Sequence, residues 1–196
     1  MPLTTLATLK AELGISDNSQ DAYLTALLAQ QSAAVEAYCS RVFGRRAVTD
    51  TFRSDVRRAR LVLSARPVIS VTSVTEAGTV LTAADYEADS AAGLLLRLDG
   101  ADGPSCWAAG KTVVVYQAGY VLPGEPSPDL PADIERACID LCVRAHAAKG
   151  RDPALRSYQN PDVESLSYFD PDKTELRGGL PADIAGRLDP HRTVHF

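Results

Sequence analysis

The sequence predicts an α+β protein: a helical bundle with an inserted antiparallel β-rich module and an extended C-terminal tail that ends in a short helix. Three observations predict it. A helix-period apolar stripe runs along residues 21–42. Short β-branched or apolar segments separated by turn residues fill 46–120. Beyond Gly150, prolines at 153, 161, 171, 181 and 190 recur while no apolar period persists between Arg151 and Gly179.

In chain order, residues 3–43 open with a short helix and an Asp-containing turn, then a long helix. At 100° per residue, Leu24, Leu27, Leu28, Gln31, Val35, Tyr38 and Val42 fall in one stripe, which predicts a core-facing side. On the opposite face Ala22, Ala26, Ala29, Ala33 and Ala37 line up. Alanine is the best intrinsic helix former and fills exposed positions without cost, so this row is either simple propensity or a flat second contact surface. Strands are predicted at Ala47–Phe52, Arg60–Leu63, Val68–Val74, Tyr86–Ala88, Leu94–Leu98 and Thr112–Tyr116, with turns at Glu76-Ala77-Gly78 and Asp99-Gly100. The next helix begins near Pro131. A proline suits a first helical turn because its missing N–H would have had no intrahelical partner there, and Asp133 sets a carboxylate at the positive end of the helix dipole. The helices 3–43 and 131–149 pack as one unit, residues 1–149, with the β-rich stretch as its insertion. The tail, 150–196, cannot bury enough surface to offset its own ordering and reads as a tether. The pentapeptide LPADI occurs at 130–134 and again at 180–184, one helix-start device used twice.

Composition narrows the function classes. The 196 residues are 45% hydrophobic with a net charge of −5, enough for a core but too acidic for a chain whose whole surface grips nucleic acid. The charge is uneven: residues 1–66 carry 9 basic and 6 acidic side chains, residues 67–149 carry 5 and 11. Arg45, Arg46, Arg53, Arg57, Arg58, Arg60 and Arg66 fall within one 22-residue stretch. They are either a solvated hairpin surface or a basic face toward an acidic neighbour or DNA. Cys39, Cys106, Cys138 and Cys142 lack the spacing of a disulfide framework and read as reduced thiols. The N-terminus lacks the pattern of a signal peptide, and no apolar run is long enough to span a membrane.

Candidate chemistry is weak. Gly110-Lys111-Thr112 lacks the earlier glycine of a phosphate loop, with Ser105 in its place, and precedes a strand where that loop needs a helix. Cys138, Cys142 and His146 stand at i, i+4 and i+8, so the outer two are about 12 Å apart along a helix, too far to share one metal. Trp107, Tyr116 and Tyr120 read as packing residues. No catalytic residue, metal or cofactor is expected.

The block 111–149, KTVVVYQAGYVLPGEPSPDLPADIERACIDLCVRAHAAK, has an aromatic-Gly-Tyr strand end and a Leu-Pro-x-Asp-Ile helix start. With the opening 3–43 and the ending LPADIAGRLDPHR at 180–192, it resembles the head-tail connector (adaptor, head completion) proteins of long-tailed bacteriophages and gene transfer agents. The resemblance implies a structural virion protein, one subunit of a ring around the DNA channel that joins the portal to the tail. Its implied partners are the portal protein, a tail-side neck protein, further copies of itself (twelve in the family's usual ring) and the DNA passing through; no membrane is involved. Its place is the particle neck, reached from the host cytoplasm during assembly. Under this resemblance the alanine row and the arginine set make lateral or channel contacts, and Tyr158, Leu166, Tyr168, Phe169, Leu180, Ile184 and Leu188 of the tail reach the portal or the next ring. A non-viral DNA-binding or regulatory adaptor using Arg45–Arg66, and an unrecognised hydrolase, are the alternatives from other classes.

Overall fold

The computed structural model describes residues 1–149, 157–160, 164–167 and 176–193. The chain divides into two compact units: Met1–Arg41 with Leu130–Phe196, and Val42–Asp129.

The first unit is helical. Helix α1 (Leu6–Leu13) starts where the Thr5 side chain accepts from the Thr8 N–H and ends at Gly14, whose φ of 68° lets its N–H return to Ala11 O. Helix α2 (Asp21–Cys39) buries Leu24, Leu27, Leu28, Val35 and Tyr38, as its stripe predicts. Val42 departs from the prediction and is 43% exposed. The helix stops at Cys39 and Ser40 turns left-handed at φ 52°, so the 100° period no longer carries to position 42. Helix α3 (Ala132–Ala147) follows Pro131, and helix α4 (Ala182–Leu188) follows Pro181. The two prolines adopt almost one conformation, φ −54° and ψ 131° against φ −54° and ψ 137°, and each leads to a fully buried isoleucine, Ile134 and Ile184. The repeated pentapeptide is one structural device used twice. Each proline sits just before the first helical residue, one position earlier than the sequence suggests.

The second unit is all β. Its strands are β1 (Arg46–Ser54), β2 (Arg60–Val62), β3 (Val68–Glu76), β4 (Thr79–Val80), β5 (Tyr86–Asp89), β6 (Leu94–Leu98), β7 (Pro104–Ser105) and β8 (Gly110–Ala118). One antiparallel sheet has the order β1-β8-β3-β4; a second has β2-β6-β5, with β7 also on β6. Leu61, Leu63, Leu95 and Trp107 meet Val68, Val74, Val114, Tyr116 and Ala118 in one core shared by both sheets. Trp107 is 1% exposed and donates its indole N–H to Leu95 O at 3.1 Å, so it is a packing residue. At the end of β8, Gly119 has φ 108° and passes so close to Gly44 that a Cβ would lie 2.6 Å from Gly44 O. That contact explains the glycine in the aromatic-Gly-Tyr strand end.

The tail departs most from expectation. Within it, β9 (Ser157–Asn160) and β10 (Glu164–Ser167) pair as a hairpin, and β11 (Leu176–Arg177) pairs with β12 (Leu180–Pro181). Helix α4 then folds onto α3 and α2 and buries Ile184, Ala185 and Leu188. Leu180, Ile184, Ala185 and Leu188 are thus part of the helical unit's own core. Leu180, Ile184 and Leu188 recur every fourth residue, and that helical stripe supplies the burial that proline frequency seemed to forbid.

Candidate functional site

The functional candidates are surfaces. The first is the outer face of α2, where Ala22, Ala26, Ala29, Ala33 and Ala37 are all exposed. The row therefore has the outward orientation that its angle on the helix predicts. On the inner side Ser32 is buried, accepts the Leu3 N–H at 3.0 Å and lies 3.4 Å from Cys138 Sγ.

The basic candidates do not form one patch. Arg45 and Arg46 stand at the start of β1, and Arg53 near its end, roughly 23 Å away at 3.3 Å per residue. Arg46 is half-buried and donates to Val42 O at 3.2 Å. Arg66 is half-buried before Pro67. The remaining four, Arg53, Arg57, Arg58 and Arg60, are exposed where β1 turns into β2. Lys111 of β8 lies directly opposite Arg53 in the register. Facing like charges disfavour each other across an antiparallel pair, so this end of the sheet concentrates positive potential. Sequence spacing missed Lys111 because only the β1–β8 register brings it there.

Intramolecular carboxylates do not neutralise this tip. Asp55, within the turn itself, makes no ion pair among the described residues, and Asp50 accepts from the Ser64 N–H at 2.7 Å, the Ser64 hydroxyl at 2.7 Å and the Tyr116 hydroxyl at 2.8 Å. Tyr116 in turn accepts from the Ala65 N–H at 3.0 Å, and burial raises its phenol above the ordinary range. Arg58 reaches only the Ser54 hydroxyl, at 3.0 Å, and among the described residues Arg53, Arg57, Arg58 and Arg60 make no ion pair. The unit's ion pairs gather instead on Arg97, half-sheltered between Glu76 at 3.1 Å and Asp85 at 3.5 Å. Asp85 is held below the usual carboxylate range, first by the Thr82 hydroxyl and then by the Thr82 N–H and Arg97.

The tail candidates separate. Leu180, Ile184 and Leu188 are buried within the helical unit, which corrects the expectation that they face a partner. A row of charge pairs reinforces the docking: Arg144–Asp183 at 2.5 Å, Arg187–Asp140 at 2.7 Å and His191–Asp133 at 2.6 Å. Tyr38 donates to Asp189 at 2.7 Å, and the Thr193 N–H to Cys39 O at 2.9 Å. Tyr158 and Leu166 lie on the β9–β10 hairpin; Tyr168 and Phe169 lie outside the described residues.

The rejected chemistry has equally plain structural reasons. Lys111 and Thr112 are strand residues of β8. Cys138 and Cys142 are buried on α3, and the hydrogen bond with Cys138, with burial second, pushes the Cys142 thiol up. No group of three or more His, Cys, Asp or Glu converges among the described residues. No described helix is long and apolar enough to cross a membrane.

The family model described as head completion protein matches residues 2–149. A chain of the neck of an empty GTA particle, computed with C6 symmetry, superposes with a TM-score of 0.58 at 19% identity, covering 99% of this chain and 91% of that one. A chain of the native GTA neck, computed with C12 symmetry, gives 0.54 at 18% identity, and one of the native gene transfer agent virion gives 0.56 at 18%, each with the same two coverages. Comparison with curated protein sequences finds no match.

Proposed function

The chain belongs to the head completion protein family, whose role is structural and not catalytic, and from that premise we propose that it joins the portal to the tail in the neck of a phage or gene transfer agent particle. It does so as one subunit of a ring around the DNA channel, with the portal on one side and a tail-side neck protein on the other. It enters the particle from the host cytoplasm. One observation carries this reading: the likeness to chains of GTA neck structures extends over 99% of the sequence, past the family match at residue 149 and through the C-terminal segment. Those necks were computed with six-fold and twelve-fold symmetry, and twelve copies are the proposed ring here.

The surfaces then have assigned work. The exposed alanine row admits close approach of a neighbouring copy because its side chains are small. Arg45 and Arg46 at one end of β1 face the channel or a partner, separately from the arginines at the other end. Tyr158 and Leu166, with Tyr168 and Phe169, are the tail residues left for the portal or the next ring, since the apolar residues of α4 are already buried. The division of the arginines between two ends of a strand favours this arrangement over a free-standing DNA-binding regulator, which needs one continuous basic track.

Deleting the gene and imaging the particles tests the reading. The expected result is DNA-filled or leaking heads without tails, restored by the gene supplied in trans. Fully tailed particles in the deletion strain would overturn it.

A further inference from the structure

Sheet β2-β6-β5 has two outer strands of opposite charge. The β2 side carries Arg60 together with Arg57 and Arg58 of the preceding turn. The β5 side carries Glu87 and Asp89, all of them exposed, and no described strand pairs with the outer edge of β2 or β5. Next to β5 a surface cleft has Ala83, Ala84, Tyr86 and Ala101 in its lining and the carboxylates of Glu87 and Asp102 on its wall. Glu87 and Asp102 make no ion pair among the described residues. Within Val42–Asp129 the charges nearly cancel, 9 basic against 10 acidic, yet residues 45–66 hold 7 of the basic and residues 67–129 hold 8 of the acidic. Arg97 pairs with Glu76 and Asp85, whereas Arg53, Arg57, Arg58 and Arg60 make no ion pair among the described residues. The β unit is close to neutral and segregated by charge, and the arginines of its β1–β2 turn meet no carboxylate among the described residues.

We propose that the β2 edge of one copy docks on the β5 edge of the next, with arginines from Arg57, Arg58 and Arg60 entering the Glu87–Asp102 cleft. This contact rests on the ring reading above and names the residues of its lateral interface. Two features select a protein partner over DNA. The basic tip includes exposed valines, Val56 at 58% and Val62 at 65%, which phosphate contacts would leave wet and a protein surface would cover. Its cations are arginines apart from Lys111, and a planar guanidinium takes a carboxylate in bidentate fashion, the residue that protein interfaces enrich while they deplete lysine. Two features select a second copy. The complementary edge lies on the same chain, on the other side of β6 roughly 10 Å away, and the two edges form no ion pair in cis among the described residues. Each edge also repels its own kind, which disfavours pairing of like edges and favours a head-to-tail contact, the type that closes into a ring.

Charge reversal in the full chain tests the contact. Arg57→Glu, Arg58→Glu and Arg60→Glu together should lower the yield of tailed particles at least about ten-fold, and so should Glu87→Arg with Asp102→Arg. All five changes in one chain restore complementarity between copies, and the yield should return to within about three-fold of wild type. Thermal melting of each purified variant separates lost contact from lost fold. As a second measurement, Val62→Cys and Ala88→Cys in a Cys106→Ser background should give a ladder of covalent multimers when particles are treated with a bis-maleimide. Loss on the arginine side, none on the Glu87 side and no rescue would overturn the proposal in favour of DNA. Absence of both rescue and ladder in a chain whose deletion still blocks tails would overturn the edge pairing while leaving the neck assignment intact.

Discussion

The two units handle charge in opposite ways. In the helical unit, Lys10 pairs with Asp21, Arg136 with Glu12 and Asp140, Arg187 with Asp140, Arg144 with Asp183 and Arg177 with Asp189. Two of these, Arg187–Asp140 and Arg144–Asp183, hold the chain's last segment against α3, and Arg136–Glu12 ties α3 to α1. In the β unit the pairs converge on Arg97, and among the described residues the arginines of the β1–β2 turn reach no carboxylate. One unit uses its charges to complete itself, and the other leaves them for a neighbour. Individual surface pairs contribute little, about 0–1 kcal/mol each, so the difference concerns specificity and geometry more than stability.

The largest effect should come from the segment that completes the helical unit. Leu188→Ala removes a fully buried side chain from α4 and should cost about 2–5 kcal/mol, whereas Val62→Ala on the exposed β2 edge should stay within about 0.5 kcal/mol. Urea unfolding of both variants measures the contrast. Equal, small effects would mean that α4 is a tether after all and that the two units do not differ in this respect.

That experiment also marks where sequence reasoning reached and where it stopped. The start of α3, the buried stripe of α2 and the six longer strands carry local signals, and all are present. Pairing is not local: β1 and β8 are neighbours in space but more than fifty residues apart, so Lys111 opposite Arg53 had no signature in spacing. The short helix at the end of the tail is present as its sequence predicts, and its burial against α2 and α3 follows from the four-residue period of Leu180, Ile184 and Leu188, which proline frequency masks. The charged edges were visible only as a compositional asymmetry until the order β2-β6-β5 set them on opposite sides of one strand.

A middle-sized effect belongs to the β unit's buried polar cluster. Tyr116→Phe leaves the Ala65 N–H without its acceptor and removes one of the three donors to Asp50, at about 1–3 kcal/mol. Burial keeps the Tyr116 phenol protonated to higher pH than in the unfolded chain, where tyrosine ionises near pH ~10. The unfolded state therefore loses its proton first as pH rises. This contribution is complete below about pH 10 and is lost above it, through the folded pKa. Denaturation midpoints at rising pH should fall less steeply in Tyr116→Phe than in the wild type; parallel curves would remove Tyr116 from the account.

A smaller effect lies on the helical side. Arg144 holds the Asp183 carboxyl below the usual range, so its stabilisation is present above about pH 4 and disappears as pH falls through the folded pKa. Half-exposed as the pair is, Asp183→Asn should cost no more than about 1 kcal/mol at pH 7, less in high salt, and should flatten the acid side of the stability profile. An acid profile identical to wild type would show that this pair positions α4 without stabilising it.

The smallest effect on stability and the sharpest test of the division between self-completion and contact is Ala33→Arg. Position 33 is exposed on α2, away from Leu24, Leu28 and Val35, so the substitution should cost the isolated chain at most about 0.5 kcal/mol. In the proposed ring, each copy would carry an unpaired charge and excess volume into a contact shaped for small side chains, at several kcal/mol per interface by the usual scale of overpacking and buried charge, roughly 1–5 kcal/mol. A closed ring repeats that penalty at every subunit. The expected result is a protein with a near wild-type melting temperature that leaves heads without tails. Normal tail attachment by a stably folded Ala33→Arg chain would reduce the alanine row to helix propensity and make the β unit the sole carrier of lateral contact. The two units would then differ completely, one closing on itself through its own charges and the other joining the ring.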